Sequence, residues 1–277
     1  MRYAEHRPSP PLRPFVECFW FAEGEGRGAP VETIVPDGCP ELILHLGDPF
    51  RRWHEGGVER QPPAFLVGEM TRALSVQPGG RVATMGIRFR PSGLRGILRA
   101  PLDELTDRAT PIDALWGRAA RELEEAVREA RSDAERVRRA ERFLLVRRAE
   151  GPGPDAAVEG AVGLILRERG QVRLAALAAA ACLSERQLER RFRVGVGLAP
   201  KTLARLVRFQ EVLRRLGDGE APDWVQVALD CGYCDQSHLV RDFRELAGAA
   251  PSRYLRAEGE LARRFVAPER LQAFFTA

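Results

Sequence analysis

Leu188-Glu189-Arg190-Arg191-Phe192-Arg193-Val194-Gly195-Val196-Gly197-Leu198-Ala199-Pro200 returns later as Leu239-Val240-Arg241-Asp242-Phe243-Arg244-Glu245-Leu246-Ala247-Gly248-Ala249-Ala250-Pro251. The two stretches align without a gap at an offset of 51, with seven identical positions in thirteen. The matches are Leu188/Leu239, Arg190/Arg241, Phe192/Phe243, Arg193/Arg244, Gly197/Gly248, Ala199/Ala250 and Pro200/Pro251. Chance rarely gives such agreement, so the C-terminal part of the chain holds two copies of one supersecondary unit.

Each copy reads as helix, turn, helix. In the first, Leu174 to Ala181 is a short helix of small residues, Cys182-Leu183 turns, and Ser184 opens a second helix. Gln187 stands three residues after Ser184, the spacing of a capping box. In the second, Trp224 to Asp230 is the first helix, Cys231-Gly232-Tyr233 the turn, and Asp235 the cap of the next helix. Leu188 with Phe192, and Leu239 with Phe243, stand at i, i+4 and face inward. The opposite face then presents Arg186, Glu189, Arg190 and Arg193 in one copy. In the other it presents Gln236, Ser237, Val240, Arg241 and Arg244. Arginine offers a planar fork to guanine edges or phosphates, and glutamine pairs with adenine. Glu189 suits the cytosine amino group. Surface arginines usually do no more than solvate a helix, and the matching positions in two units argue for more.

Between the copies, Pro200 to Leu216 reads as a helix with an apolar stripe at Leu203, Leu206, Val207, Leu213 and Leu216. Its length, roughly 25 Å at about 1.5 Å per residue, is suited to hold two reading helices about one DNA turn, roughly 34 Å, apart.

The second copy, from Gly232-Tyr233-Cys234-Asp235-Gln236-Ser237-His238-Leu239 through Arg241, Phe243-Arg244, Gly248, Ala250-Pro251-Ser252 and Tyr254, resembles the AraC family of transcription regulators. The resemblance covers about residues 156–256. It implies two helix-turn-helix subdomains joined by a linker helix, each inserting one helix into the major groove. It also implies base reading by Arg186, Glu189 and Arg190, and by Gln236, Ser237 and Arg241. Cys182 departs from the glycine common at such turns. Less specifically, Val35-Pro36-Asp37-Gly38-Cys39-Pro40-Glu41-Leu42, Leu66-Val67-Gly68 and Gly86-Ile87-Arg88-Phe89-Arg90-Pro91 resemble uncharacterised domains found before this module. That resemblance implies a β-barrel-like fold and effector sensing.

The N-terminal part reads independently as β-structure. Strand-like runs are Phe15–Phe21, Glu41–Leu46, Phe65–Val67, Leu74–Val76 and Thr84–Phe89, separated by Gly- and Pro-rich turns. Ile112 to Arg148 carries helical periodicity and reads as one or two amphipathic helices, packed on their own domain or pairing with a second copy. The expected class is α+β: a small β-barrel or sandwich with helices over 1–150, a linker over 151–155, an all-α double helix-turn-helix domain over 156–256, and a tail over 257–277. Gly151-Pro152-Gly153-Pro154 can neither continue a helix nor join a sheet interior.

Composition is that of a soluble globular protein. Of the residues, 44% are hydrophobic and 30% charged, and the formal net charge is +4. Residues 1–155 carry 24 basic and 24 acidic side chains, so the whole excess lies in 156–277, with 19 basic against 15 acidic. That is the sign expected of a polyanion-binding region. No apolar run spans a membrane, and Met1 to Pro14 lacks the apolar core of a signal peptide, so a cytoplasmic location is expected. Five scattered cysteines argue against a disulfide framework.

Trp20, Cys39 and His45 are the candidate effector-binding residues. Cys39, Glu41 and His45 share a strand face because their spacings are even. The histidines, His6, His45, His54 and His238, contain no H-x-H, and Cys231-Gly232-Tyr233-Cys234 has no second pair to complete a zinc site. The expectation is therefore no catalysis, no metal and no cofactor. Expected partners are double-stranded DNA, a small-molecule effector, a second copy of the chain and, as a candidate, RNA polymerase. The alternative class is an enzyme, or a thiol or metal sensor, tethered to a DNA-binding module.

Overall fold

The computed structural model describes residues 1–54, 56–216 and 223–257, the last three by backbone only. Ten strands occur among them: β1 (Arg2–His6), β2 (Val16–Glu25), β3 (Glu32–Ile34), β4 (Glu41–His45), β5 (Arg51–His54), β6 (Gly57–Arg60), β7 (Ala64–Val67), β8 (Leu74–Gln77), β9 (Arg81–Phe89) and β10 (Ala109–Pro111). They form two antiparallel sheets, one ordered β1-β2-β9-β4-β7-β10 and one ordered β3-β8-β5-β6. No ladder joins the two among the described residues, so the architecture is a sandwich and not the closed barrel also expected from the strand spacing.

Alternation along β2 shows how the larger sheet is used. Val16, Phe19 and Phe21 face a core shared with helices, while Cys18, Trp20 and Ala22 face the second sheet. In the same way Leu42 and Leu44 face the helices and Ile43 the sheet. Both faces of this sheet are buried, which is why its central strands read as nearly unbroken apolar runs.

Three helices cover the first face: α1 (Ile112–Trp116), α2 (Arg118–Glu129) and α3 (Asp133–Glu150). The sequence led us to expect one or two. Gly117, at φ +55°, breaks the first from the second, and Ser132 caps the third by accepting from the Glu135 amide. Leu123, Val127, Val137, Ala140 and Leu144 carry the buried stripe of α2 and α3.

Residues 151–155 are not helical, and Asp155 caps α4 (Ala156–Arg167). The rest is α5 (Leu174–Ala180), α6 (Glu185–Val196), α7 (Pro200–Leu216), α8 (Trp224–Asp230), α9 (Gln236–Ala247) and α10 (Pro251–Ala257). The two repeats close alike. Gly197 and Gly248 end α6 and α9 in the left-handed conformation at φ +91° and +72°, and Pro200 and Pro251 open the helices that follow. Beyond Ala257, the 257–277 tail lies outside the described residues.

Candidate functional site

The two outward helix faces come first. Ser184 and Gln187 form the complete capping box of α6, and Asp235 accepts from the His238 amide to cap α9. Leu188 and Phe192, and Leu239 and Phe243, are fully buried in a shared core. That fixes the other face of each helix in solvent. Arg186, Arg190 and Arg193 are exposed on α6, with Glu189 half-buried among them. Gln236, Ser237, Arg241 and Arg244 are exposed on α9. Val240, read from the sequence as part of that face, instead packs partly against the core.

None of these five arginines has a carboxylate partner among the described residues, whereas their neighbours do. Arg191 grips Asp155 with two hydrogen bonds of 2.8 and 2.6 Å. Arg205 pairs with Asp242 at 3.0 Å and with Glu245. Arg191 and Arg205 are thus held within the fold.

The turns differ by one residue. The amides of Cys182 and Gly232 donate to Ala179 and Leu229, and those of Leu183 and Tyr233 to Ala178 and Ala228. One residue then precedes α6, Ser184, but two precede α9, Cys234 and Asp235. Gly232 sits at φ +76° and Cys182 at φ +53°, so the cysteine occupies the left-handed position where glycine is favoured. In the second turn Cys231 is fully buried and Cys234 is exposed. Burial pushes the Cys231 thiol up to about 11.

The second feature is a cavity of about 80 Å³ between the two sheets. Trp20, Cys39 and His45 all line it, together with Phe50, Phe65 and Leu74. Its inner wall depends on Gly86, where a Cβ would fall 2.0 Å from the Trp20 indole. His45 is 2% exposed. Its ring nitrogens lie 3.1 Å from Gln61 Oε1 and 3.2 Å from Thr84 Oγ1. The Gln61 oxygen only accepts, so Nε2 carries the proton and Nδ1 accepts from the Thr84 hydroxyl. Burial pushes the His45 pKa from 6.5 down to about 4.

Beside this cavity lies a buried ion cluster. Arg88 is 3% exposed, and its guanidinium reaches Glu17 at 3.3 Å, Glu41 at 2.9 Å and Asp37 at 2.5 Å. Asp37 also accepts from the Cys39 amide at 3.0 Å. Glu69, 1% exposed, lies close enough for its carboxyl to feel both Asp37 and Arg88, and burial holds its pKa well above the usual carboxylate range. Burial, only partly offset by Arg88, also raises the Cys39 pKa, so its sulfur stays a thiol. Among the described residues no group of three or more His, Cys, Asp or Glu side chains is arranged to hold a metal ion.

Sequence reasoning passed over Arg88 and Glu69. The available signal was a charged residue inside the apolar run Met85–Phe89, which needs partners if it is buried. The partners follow from register, with Glu41 of β4 and Cys18 of β2 directly across from Arg88 of β9.

The cavity and the helices meet. Ile34, Asp37 and Cys39 line the cavity, while Val35 and Cys39 belong to the core that contains α4 to α9. Gln210 of α7, fully buried, donates from Nε2 to the Pro36 carbonyl at 2.7 Å. A second contact joins Thr106 Oγ1 to the carbonyl of Gly197 at the end of α6, 2.6 Å away. Next to Gln210, Glu211 is buried and held by Arg169, Arg214 and Arg215, which pull its pKa down to about 2 against the effect of burial.

Comparison with known families matches residues 4–111 to a domain of unknown function (DUF6597) and residues 177–257 to a helix-turn-helix domain. No curated protein matches the chain. Solved structures of ToxT from Vibrio cholerae are similar. One shares 13% identity at a TM-score of 0.47, over 85% of this chain and 97% of that one. Another, of ToxT bound to an unsaturated fatty acid, shares 10% at 0.46, over 86% and 94%. No helix of the described residues is long and apolar enough to cross a membrane. Two capped units on a shared core, together with the helix-turn-helix match over residues 177–257, make the C-terminal part of this chain a DNA-binding double helix-turn-helix domain of the AraC type, set behind a domain of unknown function.

Proposed function

We propose that the protein is a sequence-specific transcription regulator whose grip on DNA responds to a small molecule held between its two β-sheets. The observation that carries this reading is the set of arginines, Arg186, Arg190, Arg193, Arg241 and Arg244, exposed on two equivalent helices and without a carboxylate partner among the described residues. Arg190 and Arg241 take corresponding positions in a repeat, yet Glu189 neighbours one and Gln236 and Ser237 the other. The two faces therefore read dissimilar boxes of one asymmetric site. The stiff helix α7 sets their separation, and any bend needed to satisfy both costs of order 1–6 kcal/mol.

The segment Ile34 to Cys39 supports control by a ligand. It lines the cavity on one side and rests on α7 on the other. A ligand that prefers one placement of this segment shifts the setting of α7 by its difference in affinity for the two states, and by no more. Pairing of two copies through α3 belongs to the same proposal, since Leu145 and Val146 are exposed there.

The test uses the full chain and duplexes selected from a random pool, with affinity followed by fluorescence anisotropy against salt. Each phosphate neutralised contributes about −0.9 to the slope of log K on log salt, so affinity is expected to fall steeply as salt rises. A flat response, or no retained duplex at low salt, overturns the reading.

A further inference from the structure

The charged and ionisable groups on the cavity wall are already engaged with the protein. Asp37 and Glu41, its two carboxylates, are both ion-paired with Arg88, and Asp37 also accepts from the Cys39 amide. His45 is neutral at pH 7, with one ring nitrogen on Gln61 and the other on Thr84. Cys39 stays a thiol, 3.7 Å from a Glu17 oxygen. No lysine or arginine lines the space among the described residues. Arg60 acts on His45, but from an exposed position on β6, outside the lining.

A smaller space of about 30 Å³ shares Phe65 and Leu74 with the cavity and is edged by Arg52, Arg72 and Arg108. Arg72 and Arg108 are exposed, where an ion pair contributes little, and Arg52 lies 3.6 Å from Glu59. A charged ligand of either sign therefore gives up its water in the cavity without meeting an unpaired counter-charge, which is the costliest form of burial. A neutral ligand avoids that cost.

The apolar part of the wall points the same way. Trp20, Ile43, Phe50, Phe65 and Val76 are buried, whereas Ile34, Val67, Met70 and Leu74 are only half-buried. An apolar body seated among them removes their remaining surface from water, which is favourable. The space of about 80 Å³ is about half the roughly 150 Å³ in which a dry apolar cavity takes up benzene, so that body is compact. Ile34 and Leu74 stand directly opposite each other across the β3–β8 ladder, so one small molecule can touch both.

We propose that the cavity binds a compact neutral apolar molecule, of the size of a short branched alcohol, seated against Trp20, Phe50 and Phe65 and covering Ile34 and Leu74. This rests on the reading of the cavity as the effector site and names the chemistry of that effector. Ile34 begins the run that continues through Val35 to Pro36, whose carbonyl is held by Gln210 of α7. Filling the cavity thus bears on the DNA-binding helices.

NMR titration of the full chain at pH 7 and fixed ionic strength tests it with three probes of similar shape: isobutanol, isobutylamine and isobutyrate. The expected order puts isobutanol first, at least about tenfold tighter than either ion. Leu74→Trp fills the space and weakens isobutanol by at least about tenfold. Should that variant fail to fold, the order of the three probes on the unaltered chain still decides. Equal or tighter binding of the amine or the acid overturns the proposal. So does binding of none of the three, or isobutanol binding that a folded Leu74→Trp leaves unchanged. Anisotropy of selected duplex with and without each probe separates this failure from that of the effector reading. If isobutanol binds in the expected order and leaves duplex affinity unaltered, the ligand class stands and the effector reading fails. If an ion binds more tightly and alters it, the effector reading stands and the ligand class is wrong.

Discussion

Arg88→Met is expected to cost about 3–5 kcal/mol of folding stability, the usual penalty for removing one partner of a buried charge cluster. Glu17, Asp37 and Glu41 converge on this guanidinium from β2, from the segment before β4 and from β4 itself. Without it, three largely buried carboxylates lose the guanidinium they share. Most domains hold only about 5–15 kcal/mol in reserve, so the variant is marginal at pH 7. The stranded carboxylates then have raised pKa values in the folded state. A raised folded pKa gives stability that is present at low pH and lost as pH rises, so the variant's deficit relative to the parent, which shares the His45 titration, should be smaller near pH 5 than near pH 7. Urea unfolding followed by circular dichroism at the two pH values checks both points. Arg88→Lys keeps one charge but not the three-way fork, and should fall between. A variant as stable as the parent would show that the cluster is not what holds the Asp37 turn.

His45 gives the second large effect, with the opposite sign of pH dependence. Burial lowers its pKa from 6.5 to about 4 in the folded chain. Between these values the unfolded chain takes up a proton that the folded one refuses. Stability is therefore full above about pH 6.5 and falls as the pH drops to about 4, by about 3 kcal/mol for this group alone. His45→Gln removes the titration. The difference between parent and variant should shrink or reverse on acidification, read as urea midpoints from pH 7 to pH 4. Parallel curves would show that His45 is not held neutral between Gln61 and Thr84.

How much of this was legible beforehand differs between the two halves. In the C-terminal part local chemistry and long-range packing agree. Ser184, Asp235 and Pro200 mark helix starts, and Leu188/Phe192 with Leu239/Phe243 mark the inner face, so α6 to α9 stand where the pattern puts them. Val240 was misplaced because helix periodicity gives a direction and not the width of the buried stripe. In the N-terminal part, strands buried on both faces were visible as apolar runs. Arg2–His6 and Arg51–Arg60 were not, because an edge strand and an exposed hairpin carry no such run. Strand spacing also leaves closure open, and barrel and sandwich share it.

The candidate sites divide in the same way. Cys39, Glu41 and His45 were placed on one strand face by parity, and that face lines the cavity. The ion cluster at Arg88 needed the register of β2, β4 and β9, which no single strand carries. By spacing Gln210 falls inside the α7 stripe and Glu211 beside it, but polar side chains there add nothing to an apolar pattern, and neither was singled out from the sequence. They are buried because the Pro36 segment and three arginines cover them, a contact between distant parts of the chain.

Two dissimilar reading faces in one chain are best tested by substituting one arginine on each. Arg190→Ala and Arg241→Ala are titrated by anisotropy against every single-base variant of the selected site. The account predicts that each loses discrimination worth about 1–3 kcal/mol at its own box, and that the two boxes lie about one helical turn apart. Loss of discrimination by both variants at the same base pairs, or a palindromic site covered by one helix per protomer, would contradict it.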